Sequence, residues 1–185
     1  IGDTNGLERW LGARLLRKSE RPVPLDEGII IGNGNFRYLD DSNTEQQTPS
    51  LIQPVYRKGT NQDVIIPLVQ KLVAENKQVI VFRETKSEAF WCALYLTREL
   101  GLPPAQEIID LLPKNDLSQS STNLQKSLEG GVAFHISDLN PEERKLIEEY
   151  FRAKDTKLRV IVATTTLAMG VNTPADAVVI AGLEH

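Results

Sequence analysis

The chain has 185 residues, enough for one hydrophobic core and too few for two comfortable ones. Hydrophobic residues make up 41% and charged residues 25%, an ordinary globular balance, and no apolar run approaches the roughly 20 residues of a membrane helix. Acidic side chains outnumber basic ones 25 to 21, a net charge of −4 that argues against a nucleic-acid clamp held by bulk charge but not against shallow contacts from hydroxyls and peptide N–H groups.

In chain order, Asn5, Leu7, Trp10, Leu11 and Gly12 give a cap, an apolar stripe and a stop, which predicts a short helix. Pro22 and Pro24 then force extended backbone. Residues 28–31 and 36–39 flank Gly32-Asn33-Gly34-Asn35 and predict a hairpin with a Gly/Asn turn. Residues 40–60 are polar and turn-rich and read as a long surface loop. From Asp63 to about Asn76 the apolar positions Val64, Ile65, Leu68, Val69, Leu72 and Val73 recur at helical spacing. Val79-Ile80-Val81-Phe82 is a continuous apolar run, the mark of a strand buried on both faces.

Residues 86–100 predict a helix ended by Gly101, and 104–112 and 117–128 predict two more, with Pro113 between them. Residues 132–136 and 159–163 read as further buried strands around a helix over 141–152, with Pro141 in its first turn. A short helix near 166–169 and a strand over 177–180 complete the pattern. Strand–helix alternation from Lys77 onward predicts an α/β domain with a parallel sheet covered by helices, flanked by the N-terminal hairpin and connector. Cys92, the one cysteine, sits in a helical pattern and reads as a core thiol of a reducing, intracellular protein. The chain opens at Ile1 without a signal-peptide pattern, and Leu183-Glu184-His185 reads as the start of a vector-encoded histidine tag, so His185 is expected to ligate nothing.

In open parallel sheets ligands bind beyond the carboxyl ends of the strands. Three such ends are polar: Arg83-Glu84-Thr85-Lys86-Ser87, His135 with Ser137, and Thr164-Thr165-Thr166. A hydroxyl loop entering a helix N-terminus suits a phosphate, but each loop taken alone is better explained as a helix cap. His135 reads as a satisfied structural histidine, and Glu142-Glu143 with Glu148-Glu149 as a solvated helix face. There is no phosphate loop of the G-x-x-x-x-G-K-[ST] type, no H-E-x-x-H and no G-x-S-x-G, and no catalytic or metal-ligating set is assigned.

These segments resemble a family. Residues 79–87 resemble motif IV of superfamily-two helicases of the DEAD/DEAH type, and 131–152 the block that follows it. Residues 160–175, with Thr164-Thr165-Thr166-Leu167-Ala168-Met169-Gly170-Val171-Asn172-Thr173-Pro174-Ala175, resemble motif V. Trp10-Leu11-Gly12-Ala13 and Arg21-Pro22-Val23-Pro24-Leu25 are similar to the segment after motif III in the superkiller-like branch.

The resemblance implies a RecA-like second motor domain: residues 1–60 as the end of the first motor domain and connector, 61–182 as the second domain cut before motif VI, and 183–185 as tag. It implies nucleic-acid contacts by Arg83, Thr85, Ser87, Thr164 and Thr166, and a nucleotide-facing role for Gly170 and Asn172. ATP and Mg2+ are implied for the parent protein and no cofactor for the piece alone. The implied partners are single-stranded or duplex nucleic acid and the first RecA-like domain, with no membrane and a cytoplasmic or nuclear location. The chain departs from the family at His135-Ile136-Ser137-Asp138, where two histidines are usual, and at Arg83-Glu84, where valine and a small polar residue are commoner. With the phosphate loop, the D-E-x-H site and the arginine finger of motif VI outside the chain, activity is expected of the parent alone. The rival readings are a non-catalytic RecA-like scaffold or nucleic-acid-binding module, without motor activity, and an unrelated sugar-nucleotide or phosphate-binding domain.

Overall fold

The computed structural model describes residues 12, 27–40, 44–55, 59–114, 118–153, 156–164 and 174–181. The helix expected near Trp10, the extended Pro22 and Pro24 segment and the short helix at 166–169 lie outside these residues.

The expected hairpin is present as β1 (Gly28–Ile30) and β2 (Phe36–Leu39), paired antiparallel with Ile30 opposite Phe36. Its turn needs glycine at position 34: φ is +86°, and a Cβ there would strike the Ile52 carbonyl. The loop expected over 40–60 is not wholly loop. It contains a third strand, β3 (Glu45–Thr48), paired with β2. Its sequence Glu-Gln-Gln-Thr carries no apolar alternation, and polar pairing holds it instead. Arg37 is ion-paired with Glu45, and Asp40 accepts from Thr44 N–H and from the Gln46 amide, both at 2.9 Å.

The α/β body follows: α1 (Gln62–Ala74), β4 (Val79–Arg83), α2 (Lys86–Glu99), α3 (Gln106–Ile109), α4 (Gln119–Leu128), β5 (Val132–His135), α5 (Pro141–Arg152), β6 (Val160–Thr164) and β7 (Ala177–Ile180). Pro67 lies inside α1 and has no N–H for the Asp63 carbonyl; Val55 N–H fills that place at 3.0 Å, tying the preceding segment to the helix. The helix expected over 104–112 is only the single turn α3. The next starts at Ser118, whose hydroxyl accepts from Ser121 N–H at 3.1 Å.

The sheet is parallel, in the order β5-β6-β4-β7. Val79, Val81, Val160 and Val162 are wholly buried, as the continuous apolar runs require of central strands. Neighbouring residues of a strand point to opposite faces, and β5 uses this to join two helix layers. The Phe134 ring meets Phe90 of α2 edge-on, with centroids 5.7 Å apart, while His135 reaches Glu148 of α5. Gln70 of α1 donates to the Glu99 carbonyl, and Thr97 of α2 lies 3.2 Å from the Ser127 hydroxyl of α4, so these helices flank α2. The result is the three-layer α/β architecture that the resemblance implies. Between α4 and β5, Gly131 turns the chain at φ +68°.

Candidate nucleic-acid interface

Parallel register sets the polar strand ends side by side. Arg83, the last residue of β4, pairs with Thr164, the last of β6, and His135 at the end of β5 pairs with Ala163. Adjacent strands lie about 4.8 Å apart, so a guanidinium, a hydroxyl and an imidazole end neighbouring strands along the carboxyl edge of the sheet. All three residues are buried.

From Arg83 the chain turns into α2. Thr85 is its N-cap: the Oγ1 accepts from Glu88 N–H at 3.2 Å, and Glu88 Oε2 accepts from Thr85 N–H at 3.1 Å. Capping, one of the two explanations open for this hydroxyl, is therefore a role it performs. Both Thr85 and Ser87 remain exposed, in the turn where peptide N–H groups and the helix dipole favour an anion. Lys86 of the same turn pairs with Asp138 at 2.5 Å, linking the loop after β4 to the loop after β5.

Arg83 is only 6% exposed, and its Nε and Nη1 are buried without a hydrogen-bond partner. Its nearest carboxylate contact is Nη2 to Glu88 Oε1 at 3.6 Å, too long for a hydrogen bond. Beside it lies a cleft of about 340 Å³ lined by Gln62, Arg83, Ser87, Glu88, Trp91 and Tyr95. The reading of the sequence missed Gln62, Glu88, Trp91 and Tyr95 as site residues. Ser87, Trp91 and Tyr95 stand at i, i+4 and i+8 on α2, a spacing that places them on one helix face and was the available signal.

His135 is held on one side only. Its Nε2 lies 2.9 Å from Glu148 Oε1, which assigns the ring proton to Nε2, while Nδ1 is buried without a partner. Burial pushes its pKa below the ordinary 6.5, the hydrogen bond donated to Glu148 opposes that shift, and the Arg144 charge lowers it further. The solvated face expected for Glu142-Glu143 and Glu148-Glu149 is corrected at two positions. Glu143 is fully buried, exchanging hydrogen bonds with Asn140 at 2.8 and 3.1 Å to close the cap of α5, and Glu148 is taken by His135. Cys92 is a core thiol as expected, buried and with its pKa pushed up to about 11 by desolvation.

Thr166, Gly170 and Asn172 lie outside the described residues. Among the described residues no group of three His, Cys, Asp or Glu side chains is placed to hold a metal ion, and no helix is long and apolar enough to cross a membrane.

Comparison with known proteins fits this geometry. A family model described as the helicase conserved C-terminal domain matches residues 62–185. Curated relatives include the ATP-dependent DNA helicase Hel308 of Pyrobaculum calidifontis, 34% identical over 194 residues, which cover all of this chain and 25% of that protein. The Hel308 of Pyrococcus horikoshii is 32% identical over 184 residues, 97% of this chain and 23% of its own length. DNA polymerase theta of Mus musculus is 32% identical over 195 residues, 92% of this chain and 7% of that protein. The chain thus spans about a quarter of the length of its Hel308 relatives. With the family model matching two thirds of it, the chain belongs to the helicase conserved C-terminal domain family, the second RecA-like domain of superfamily-two helicases.

Proposed function

We infer that this chain is the second motor domain of an ATP-dependent nucleic-acid helicase, gripping a single strand along the carboxyl edge of its sheet and closing over ATP against a first RecA-like domain. The observation that carries the inference is the exposed pair Thr85 and Ser87 in the first turn of α2, directly after the strand end where Arg83 of β4 is in register with Thr164 of β6. Hydroxyls, peptide N–H groups and one guanidinium suit a strand that must be held and then released. Thr166 would extend the phosphate contacts, and Gly170 and Asn172 would face the nucleotide. The net charge of −4 fits a grip of few, short-range contacts.

In this reading residues 1–60 end the first motor domain and form the connector, and 61–182 form the second. The phosphate loop and the residues that hold Mg2+ belong to the parent's first domain. ATP supplies the free energy when bound between the domains. This chain contributes the surface that closes and the strand contacts that move with it. The relatives named as DNA helicases make DNA the polymer to test first.

The test is ATP hydrolysis by the full-length parent with and without single-stranded DNA and RNA. Stimulation by one polymer supports the motor and chooses its substrate. A folded parent that hydrolyses no ATP under any of these conditions overturns it in favour of a RecA-like scaffold.

A further inference from the structure

The cleft beside Arg83 is not needed to hold a phosphate backbone, and its composition is unsuited to that task alone. Glu88 stands at its wall with Oε1 3.6 Å from the guanidinium, so a phosphate entering would meet a carboxylate as well as a cation. A neutral acceptor meets no such repulsion. The guanidinium is 94% buried by its 6% exposure, and its Nε and Nη1 lack partners, a burial that costs free energy until an acceptor oxygen arrives. Gln62 Oε1, on the opposite helix, is a buried acceptor equally without a donor. The cleft therefore lacks both an acceptor and a donor.

Its remaining wall is aromatic. Trp91 is 49% exposed, a large apolar ring left open to solvent on a helix whose other face is core. It is not loosely placed: Phe90 packs against it with centroids 5.2 Å apart, and Phe90 is itself seated edge-on against buried Phe134. A braced, half-exposed indole is a stacking platform. The volume of about 340 Å³ lies at the small end of ligand clefts, room for one planar ring and its attachment.

A planar ring with carbonyl acceptors and an N–H donor on its edge is a nucleobase. Ser87 belongs both to the cleft and to the exposed turn proposed to hold the strand, so a base leaving the strand there has no distance to cross. We propose that the cleft between α1 and α2 takes one unstacked base of the bound strand, stacked on Trp91 with its carbonyl toward Arg83 and its N–H toward Gln62. This rests on the strand-gripping reading above.

The experiment uses the full-length parent and single-stranded oligodeoxythymidine, in a series with one abasic position moved along the strand. Trp91→Ala should weaken binding of the intact oligomer about fivefold to a hundredfold, the range of one lost base–aromatic stack. Trp91→Phe should recover most of that loss. One abasic position should weaken the wild type by a similar factor and leave Trp91→Ala unchanged, a coupling that a merely structural role for Trp91 would not produce. Trp91→Gln, polar and suited to a half-exposed site, repeats the measurement should alanine upset folding. Arg83→Gln should lose affinity for thymine while keeping the salt slope near that of wild type, because the partner is a carbonyl and not a phosphate.

Equal abasic profiles for wild type and Trp91→Ala overturn the base pocket and leave strand gripping intact. A salt slope reduced by about 1 in Arg83→Gln assigns Arg83 to a phosphate and likewise overturns the base contact. A wild-type parent that binds no single strand overturns the strand-gripping reading, and the pocket with it.

Discussion

Thr85 caps α2, and the strand contact proposed for it can be separated from the cap by substitution, because the cap requires an acceptor and the contact a donor. The cap is visible: Oγ1 takes Glu88 N–H at 3.2 Å, and Glu88 returns a bond to Thr85 N–H at 3.1 Å. Thr85→Ala removes the first bond and keeps the second. Loss of an N-cap hydroxyl costs about 1 kcal/mol, which for a domain of this size unfolding as its own unit within the parent lowers the midpoint of that transition by about 2–4 °C. Thr85→Asp keeps an acceptor at the cap and places a negative charge where the helix dipole favours one, so its Tm should stay near the wild-type value.

Strand binding should rank the two variants the other way. Alanine loses one hydroxyl contact to a phosphate, about 0.5–1.5 kcal/mol or roughly two- to tenfold in affinity. Aspartate sets a carboxylate about 4 Å from the phosphate, a repulsion of about 1 kcal/mol in water and about 4 kcal/mol at an effective dielectric constant of 20. Its loss should therefore equal or exceed that of alanine. Thermal unfolding and fluorescence anisotropy with a labelled single strand, both on the full-length parent, give the two orders. A Thr85→Asp protein with wild-type Tm and wild-type affinity would refute the strand contact and leave Thr85 a cap only.

Two further outcomes follow from the body of the domain. His135 has a folded pKa below 6.5, so as pH falls the unfolded chain takes up its proton first. Its contribution is complete above about pH 6.5 and declines from there toward the lower folded value. Urea midpoints measured from pH 7.5 down to pH 5 should fall more steeply in wild type than in His135→Gln, and equal slopes would remove His135 from the account. At Gly131, φ is +68° and an added Cβ would lie 2.7 Å from both Leu102 Cβ and the Pro103 carbonyl. Gly131→Ala should cost about 2 kcal/mol or more from the left-handed backbone and the clash together, read as a lowered urea midpoint; an unchanged midpoint would mean the turn after α4 can move aside.

The parallel sheet was legible because each central strand is an unbroken apolar run, whereas the capping boxes Thr85-x-x-Glu88 and Asn140-x-x-Glu143, although local patterns, were passed over. What else escaped depends on partners distant in sequence. β3 is held by the Arg37–Glu45 ion pair and by the hydrogen bond that Gln46 donates to Asp40, and Glu45–Thr48 carries no apolar period of its own. Glu148 looks like surface until His135, 13 residues earlier, is placed against it. The Asn140-x-x-Glu143 spacing was available to mark Glu143 as a cap and not a solvated face, but its complete burial comes from packing that local spacing does not encode. Arg83 is the clearest case: a charge after an apolar run reads as the place where a strand meets solvent, yet here the strand carries it inside.

That burial joins the features of the site. Glu88 holds Thr85 N–H with Oε2 and faces Arg83 with Oε1, so one carboxylate serves both the cap and the wall of the cleft. Because the Glu88 Oε1 contact at 3.6 Å is too long for a hydrogen bond, the guanidinium is held near the cleft without being satisfied there. A full salt bridge would bury the pair and shut off its donors, while a freely exposed arginine would find water for all of them. An intermediate state leaves hydrogen-bonding capacity unspent beside a braced indole, at the end of the strand whose neighbour ends in Thr164. In the proposed motor, an occupant that draws on Arg83 also loosens or tightens the carboxylate that caps α2. Occupation of the cleft and the position of Thr85 against the strand then become parts of one local equilibrium.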